Sequence, residues 1–177
     1  MKKVYYTWQD IENQTQEILR QLHRDAWQPD YVVGIVRGGL VPATLISQYL
    51  GVPMHTLNVS LRDGNTGPES NFWMAEDAFG YPVYDATCSS DGRKNILIVD
   101  DINDSGATLN WIKQDWPSGC LPDDNRWDHI WNHNVRVAVL VDNSASASKL
   151  NVRYNAVDLN KSDEDVWIIF PWEAWWR

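Results

Sequence analysis

Cysteine is scarce in this 177-residue chain: Cys88 and Cys120 stand alone, outside any metal-ligand spacing, and two cysteines make no disulfide framework. Free thiols and a cytoplasmic setting are the expectation. Positive charge is scarce as well, with 15 Lys and Arg against 24 Asp and Glu and a formal net charge of −9. That balance excludes the broad cationic face by which proteins grip nucleic-acid backbones. No apolar run approaches the roughly 20 residues of a membrane span. The two lysines of "MKKVYYTWQD" precede no apolar stretch of the kind a secretory signal carries. Neither nucleic acid nor membrane is therefore an expected partner. Tryptophan is in surplus, with 11 residues; most suit core or interface packing, and they are numerous enough to include a surface for stacking a base.

The chain reads as one α/β domain, residues 1–177. "TWQDIENQTQEILRQL" is an amphipathic helix with Trp8, Ile11, Thr15, Ile18, Leu19 and Leu22 on one stripe, capped by Thr7 with Asp10 three residues on. "DYVVGIV" suits a buried parallel strand. "RGG" turns the chain into the helix "LVPATLISQYLG", and "MHTLNVS" is a second strand. Residues 62–94 carry Gly, Pro, Ser and Asp at turn density and predict a long, mobile functional loop. "NILIVD" is the third strand, with a helix from about Ala107 to Trp116. Residues 117–134 predict an irregular insertion, "VRVAVLV" and "YNAVDL" two more strands, and 160–177 a small aromatic hood. Strands alternating with helices give a mostly parallel central sheet flanked by helices, with its ligands at the carboxyl ends of the strands.

Two turns reach that edge. In "DDINDSGAT" a helix opens just after the turn, so the free amides at residues 105–108 and the Ser105 and Thr108 hydroxyls can receive a phosphate monoester. Gly106 allows close backbone approach. Asp100 and Asp101 repel phosphate; they can accept from the vicinal hydroxyls of a ribose, or help to hold Mg2+ on a diphosphate. Asp104 stands at the turn, facing whatever reacts at the sugar. A turn and an N-cap explain one aspartate, but not three within five residues behind an apolar strand. "RGG" by itself is an ordinary strand-to-helix turn.

The stretch 95–110 closely resembles the ribose-phosphate binding motif of type I phosphoribosyltransferases, an apolar strand and two acids followed by Asp-Ser/Thr-Gly-x-Thr. The resemblance extends to the bacterial xanthine–guanine members through Thr7-Trp8, through Arg37 to Pro42 ("RGGLVP"), and through Trp167-Ile168 with Pro171-Trp172-Glu173. It implies a Mg2+-dependent pentosyltransferase of nucleotide salvage. Such an enzyme moves ribose 5-phosphate from phosphoribosyl pyrophosphate to a nucleobase, with guanine, xanthine or hypoxanthine foremost. On this resemblance residues 104–108, Ala107 among them, hold the 5′-phosphate. Asp100 and Asp101 hold the ribose hydroxyls and Mg2+, directly or through water, while Arg37, Gly38 and Gly39 form the pyrophosphate loop. Asp104 serves the incoming base, and Trp167 with Ile168 receives it by stacking, the alternative being a Trp packed beneath the hood. A homodimer or homotetramer is implied, with Trp175 and Trp176 suited to packing or a subunit contact. A protein that senses phosphoribosyl pyrophosphate on the same fold is the rival reading.

One departure bears on the base. The bacterial xanthine–guanine members carry a lysine after the fourth strand that donates to the purine 6-oxo group, and here that position is Asp142, an acceptor. Either a nearby group such as Lys149 takes its place, the alignment slips, or the base differs. His129 and His133 stand at i, i+4 but read as surface histidines, and "SDEDV" at 162–166 as a solvated loop.

Overall fold

The structure, a computed structural model, describes residues 1–59, 71–80 and 92–176. The central sheet has five parallel strands: β2 (Tyr31–Val36), β3 (Met54–Asn58), β4 (Ile96–Asn103), β5 (Val135–Asn143) and β6 (Tyr154–Leu159), in the order β3-β2-β4-β5-β6. Helices α1 (Trp8–Arg24), α2 (Leu40–Leu50), α3 (Phe72–Phe79), α4 (Ala107–Gly119) and α5 (Trp127–Ile130) accompany it.

The sheet is buried on both faces, as parallel sheets are. The twofold period of a strand sorts its side chains into two cores. Tyr31, Val33, Ile35, Ile96 and Ile98 pack on one side with residues of α3, α4 and α5. Val32, Leu97, Val99, Ala138 and Leu140 pack on the other, against α1, α2 and the C-terminal segment. Four of the eleven tryptophans, Trp111, Trp116, Trp127 and Trp131, belong to the first core or pack against it. Trp127 lies 5.6 Å from Trp131 and Trp131 5.7 Å from Trp116, which is fully buried.

Helix α1 follows its sequence pattern closely. Thr7 and Asp10 form a reciprocal capping box, and Ile11, Thr15, Ile18 and Leu22 are buried. Trp8, assigned to the same stripe, is half exposed and leans instead on Trp172, 6.1 Å away. Helix α2 ends at Gly51 in the left-handed conformation, as the sequence predicts.

Four expectations are corrected. Residues 62–94 are not loop throughout: "FWMAEDAF" forms α3, with Met74, Ala75, Asp77, Ala78 and Phe79 buried. Its residues are apolar around most of the helix, so no amphipathic period announces it. Tertiary burial, and the bonds that Asp77 accepts from Tyr31 and Lys94, hold it in place. The flanking residues 60–70 and 81–91, with Cys88, lie outside the described residues. Helix α4 continues to Gly119 with Pro117 in its last turn, so the insertion after it begins later than 117. Strand β4 runs three residues past Asp100, along β5 to the pair Asn103–Asp142. The acids therefore sit on the strand, ahead of the turn. Finally, β1 (Lys2–Tyr5) pairs in parallel with β7 (Val166–Ile169), making a second, two-stranded sheet out of the hood. The four residues of β1 carry no buried-strand signal, because their partner lies at the far end of the chain.

Candidate active site

Strands β2 and β4 run side by side from Tyr31–Ile96 to Gly34–Val99, and beyond that β4 is paired with β5 alone. The connections from β2 and β4 leave to opposite faces, which makes this the switch point of an open α/β sheet, where such sheets bind ligands. A cleft of about 1260 Å3 opens there. Arg37, Gly38, the acids of β4, the turn at 104–108 and hood residues including Trp167 all line it.

The Val36–Arg37 peptide bond is cis, and Arg37 is exposed toward the cleft. The carboxylate of Asp101 lies against Gly38, in the space a Cβ there would occupy. Asp100 Oδ1 accepts from the Asp101 amide at 2.9 Å, and Asp101 Oδ1 from the Ile102 amide at 2.8 Å. Burial pushes the Asp101 carboxyl up to about 6, and the negative Glu173 of the hood adds to the rise. Acidic groups from β4 and the hood thus crowd one wall.

At the turn, Gly106 has φ +83° and caps α4. A side chain there would strike the backbone of Ser148, so both conformation and space require glycine. The first bond inside α4 runs from the Asn110 amide to the Gly106 carbonyl at 2.9 Å. The amides of Ala107, Thr108 and Leu109 precede it and have no acceptor within the helix; that of Ala107 turns to Ser105 Oγ at 3.3 Å. Helix dipole and free amides together make an anion cradle.

The loop after β5 buttresses this cradle through residues that carried no sequence-level assignment. Asn143, buried at the end of β5, donates to the Asp104 carbonyl at 2.8 Å and accepts from the Lys161 amide at 3.0 Å. Asn110 donates to the Ala147 carbonyl at 2.9 Å. Lys161 itself, on the loop after β6, places Nζ 2.7 Å from Asp104 Oδ1. Its only sequence signal was a lysine ahead of an acidic run.

Trp167 projects from β7 into the cleft, 41% exposed, while its neighbours Val166 and Ile168 point back into the core. Of the two roles weighed for Trp167, burial under the hood is excluded. Ile168 also lines the cleft but is nearly buried. Phe170 and Trp172 stack at 4.8 Å beside it, and Trp176 reaches the rim, largely exposed like Trp175. Asp142 and Lys149 face elsewhere. Both line a separate hollow of about 340 Å3, where Asp142 accepts from Asn103 at 2.8 Å. Lys149 thus lines that hollow and not the cleft. His129 and His133 are exposed, and among the described residues no three His, Cys, Asp or Glu side chains gather to hold a metal.

A family profile for the phosphoribosyl transferase domain matches residues 2–175. The chain belongs to the phosphoribosyltransferase family. Among curated relatives of this phosphoribosyltransferase, the xanthine-guanine phosphoribosyltransferase of Roseobacter denitrificans is 28% identical, covering 86% of this chain and 81% of the relative. The hypoxanthine-guanine phosphoribosyltransferase of Schizosaccharomyces pombe is 22% identical over 97% of this chain and 89% of its own. Among solved structures, the purine phosphoribosyltransferase of Pyrococcus horikoshii superposes with a TM-score of 0.65 at 25% identity, covering 98% of this chain and 95% of that one. The doubly covered parallel sheet expected from the sequence is the fold of this family. No helix among the described residues is long and apolar enough to cross a membrane.

Proposed function

We propose that this phosphoribosyltransferase joins a purine base to ribose 5-phosphate taken from phosphoribosyl pyrophosphate, releasing pyrophosphate, as a step of nucleotide salvage. The observation that carries this reading is the shared cleft. An anion cradle, vicinal carboxylates and a Gly-rich turn with an arginine meet within reach of an exposed indole and the carboxylate of Asp104.

The residues divide the work. The amides at 105–108 and the hydroxyls of Ser105 and Thr108 take the 5′-phosphate. Asp100 and Asp101 accept from the ribose hydroxyls. Arg37, with the backbone of Gly38 and Gly39, meets the diphosphate and neutralises it as it departs. The bond from C1′ to the diphosphate oxygen breaks, its electron pair leaving with the diphosphate, and the lone pair of the base N9 forms the new bond to C1′. Asp104 accepts the proton that leaves N7 of the base. Trp167 presents the face on which the base lies.

The acidic wall fits a divalent cation. Its donors are carboxylate oxygens, the kind Mg2+ prefers, and burial plus Glu173 already raise Asp101 toward the neutral form, a tension that a cation would relieve. Asp100 and Asp101 would hold Mg2+, directly or through water, and the ion would supply charge neutralisation for the diphosphate.

The test is pyrophosphate release from phosphoribosyl pyrophosphate and Mg2+ with guanine, xanthine, hypoxanthine, adenine or pyrimidines. At least one purine is consumed in stoichiometry with pyrophosphate. The Asp104→Ala variant loses about 100-fold or more in kcat with its circular dichroism unchanged. Binding of the donor without consumption of any base would replace this reading with that of a donor sensor.

A further inference from the structure

The turn at 104–108 is held from behind by the loop that follows β5. Asn143 Nδ2 donates to the Asp104 carbonyl at 2.8 Å, and the Ala147 amide donates to the Ser105 carbonyl at 3.1 Å. The next carbonyl, that of Gly106, accepts from the Asn110 amide at 2.9 Å. The peptide bonds concerned are trans, and in a planar trans peptide the N–H points opposite to the C=O. Holding the carbonyls of Asp104, Ser105 and Gly106 therefore aims the amides of Ser105, Gly106 and Ala107 the other way. The two sides of the turn are different places. Residues 104–108 line the cleft, whereas Asn143, Ser146, Ser148 and Lys149 line the separate hollow behind it.

Two asparagine side chains fix that loop. Asn110, in the first turn of α4, donates to the Ala147 carbonyl at 2.9 Å and accepts from the Lys149 amide at 2.6 Å. It thus grips the backbone on either side of Ser148, which lies against Gly106. Asn143, buried at the end of β5, accepts at Oδ1 from the Ala145 amide at 3.2 Å and the Lys161 amide at 3.0 Å. Those two bonds lock the plane of its amide, so Nδ2 is held in one direction, toward Asp104. We infer that Asn110 and Asn143 are positioning residues for the 5′-phosphate: through the loop 143–149 they set the direction of the amides that receive it, before it arrives. This rests on the phosphoribosyl-transfer reading and deepens it. Donors aimed in advance need no reordering when the anion binds. A turn without that support would have to be ordered by the phosphate itself, and its affinity would fall by the free energy so used. Neither asparagine touches the sugar donor on this reading; both act through backbone they hold.

The experiment titrates the full chain calorimetrically with two probes, comparing wild type, Asn110→Ala and Asn143→Ala. Ribose 5-phosphate reports on the turn at 104–108, and magnesium pyrophosphate on the turn that carries Arg37. Each variant binds ribose 5-phosphate about 5- to 30-fold more weakly than wild type, the order of one or two lost hydrogen bonds. Each binds pyrophosphate within about threefold of wild type. In Asn110→Ala the KM for phosphoribosyl pyrophosphate rises in step, while the KM for the base stays within about threefold. Asn143 is buried and also holds the Lys161 amide, so Asn110→Ala, at a half-buried position, carries the test should Asn143→Ala fail to fold. Two results would overturn the inference. One is a ribose 5-phosphate affinity in Asn110→Ala within threefold of wild type. The other is an equal weakening of both probes, which would make the asparagines supports of the whole cleft. A wild type that binds ribose 5-phosphate yet consumes no base would remove the transfer reading alone, and the two probes would still decide the role of the asparagines.

Discussion

At one end of the cleft, residues 104–108 work through backbone and small side chains from a single continuous stretch, in the conformation that Gly106 permits at φ +83°. At the other end, side chains of three separate segments meet: Asp104 after β4, Lys161 after β6, and Trp167 on β7. On the proposed reading the first end takes an anion that is always the same, and a helix start suffices for that. On the same reading the second meets a particular ring, which takes side chains of fixed identity and position. The two meet at Asn143, which bonds the Asp104 carbonyl and the Lys161 amide together.

If the two ends are separable, substitutions should divide along the same line. The largest effect is expected at the donor end. Gly106→Val forces a side chain into the Ser148 backbone in a conformation costing about 1–3 kcal/mol for a non-glycine residue. KM for phosphoribosyl pyrophosphate should rise at least about tenfold, with KM for the base little changed; equal rises in both would merge the two ends into one unit. At the other end, Trp167→Ala removes the exposed stacking face. Steady-state kinetics should give a base KM raised about 10- to 100-fold, from the ~1–3 kcal/mol of base–aromatic stacking, and an unaltered donor KM. A donor KM that moved as much would show that Trp167 supports the hood instead of the base.

The smallest effect is expected at the opposite edge of the sheet, which should serve stability alone. There Asp25, at the C-terminus of α1, accepts from Arg153 at 2.9 Å, Tyr154 at 3.0 Å and Arg136 at 3.1 Å. These partners, Arg153 first, hold its carboxyl below the usual carboxylate value. A folded-state value below the unfolded one contributes stability above pH ~4 that is lost as pH falls through the depressed value. Asp25→Asn should therefore lower thermal stability near pH 7 by about 1 kcal/mol. The gap to wild type should close as pH falls through the depressed value, with kcat/KM near pH 7 unchanged. A gap independent of pH would assign the loss to packing.

The same contrast decides how much was legible in advance. Strands β2, β4, β5 and β6 are short apolar runs bounded by turns, so period and composition reveal them, and the turn at 104–108 with its helix start follows because its geometry is local. Helix α3 and strand β1 were illegible. One is apolar nearly all round, and the other owes its strand to a partner more than 160 residues away. Asp142 was legible as an acid in an unexpected place, but its partner Asn103 and its aim away from the cleft were not.

The order of apolar runs, the capping residues, and the glycines and acids of two turns are written in the chain itself, because each acts within a few residues of where it stands. They determine the α/β alternation, the edge that carries the cleft, and the turn proposed to grip a phosphorylated sugar. Tertiary structure alone decided which cation faces Asp104. The sequence pointed to Lys149, and only the path of the chain after β6, held by a buried asparagine, brings Lys161 within hydrogen-bond reach of Asp104 while Lys149 faces a different hollow. Hydrogen bonds and ion pairs fall off within a few ångströms, so distance in space, not distance along the chain, sets which side chains meet in the cleft.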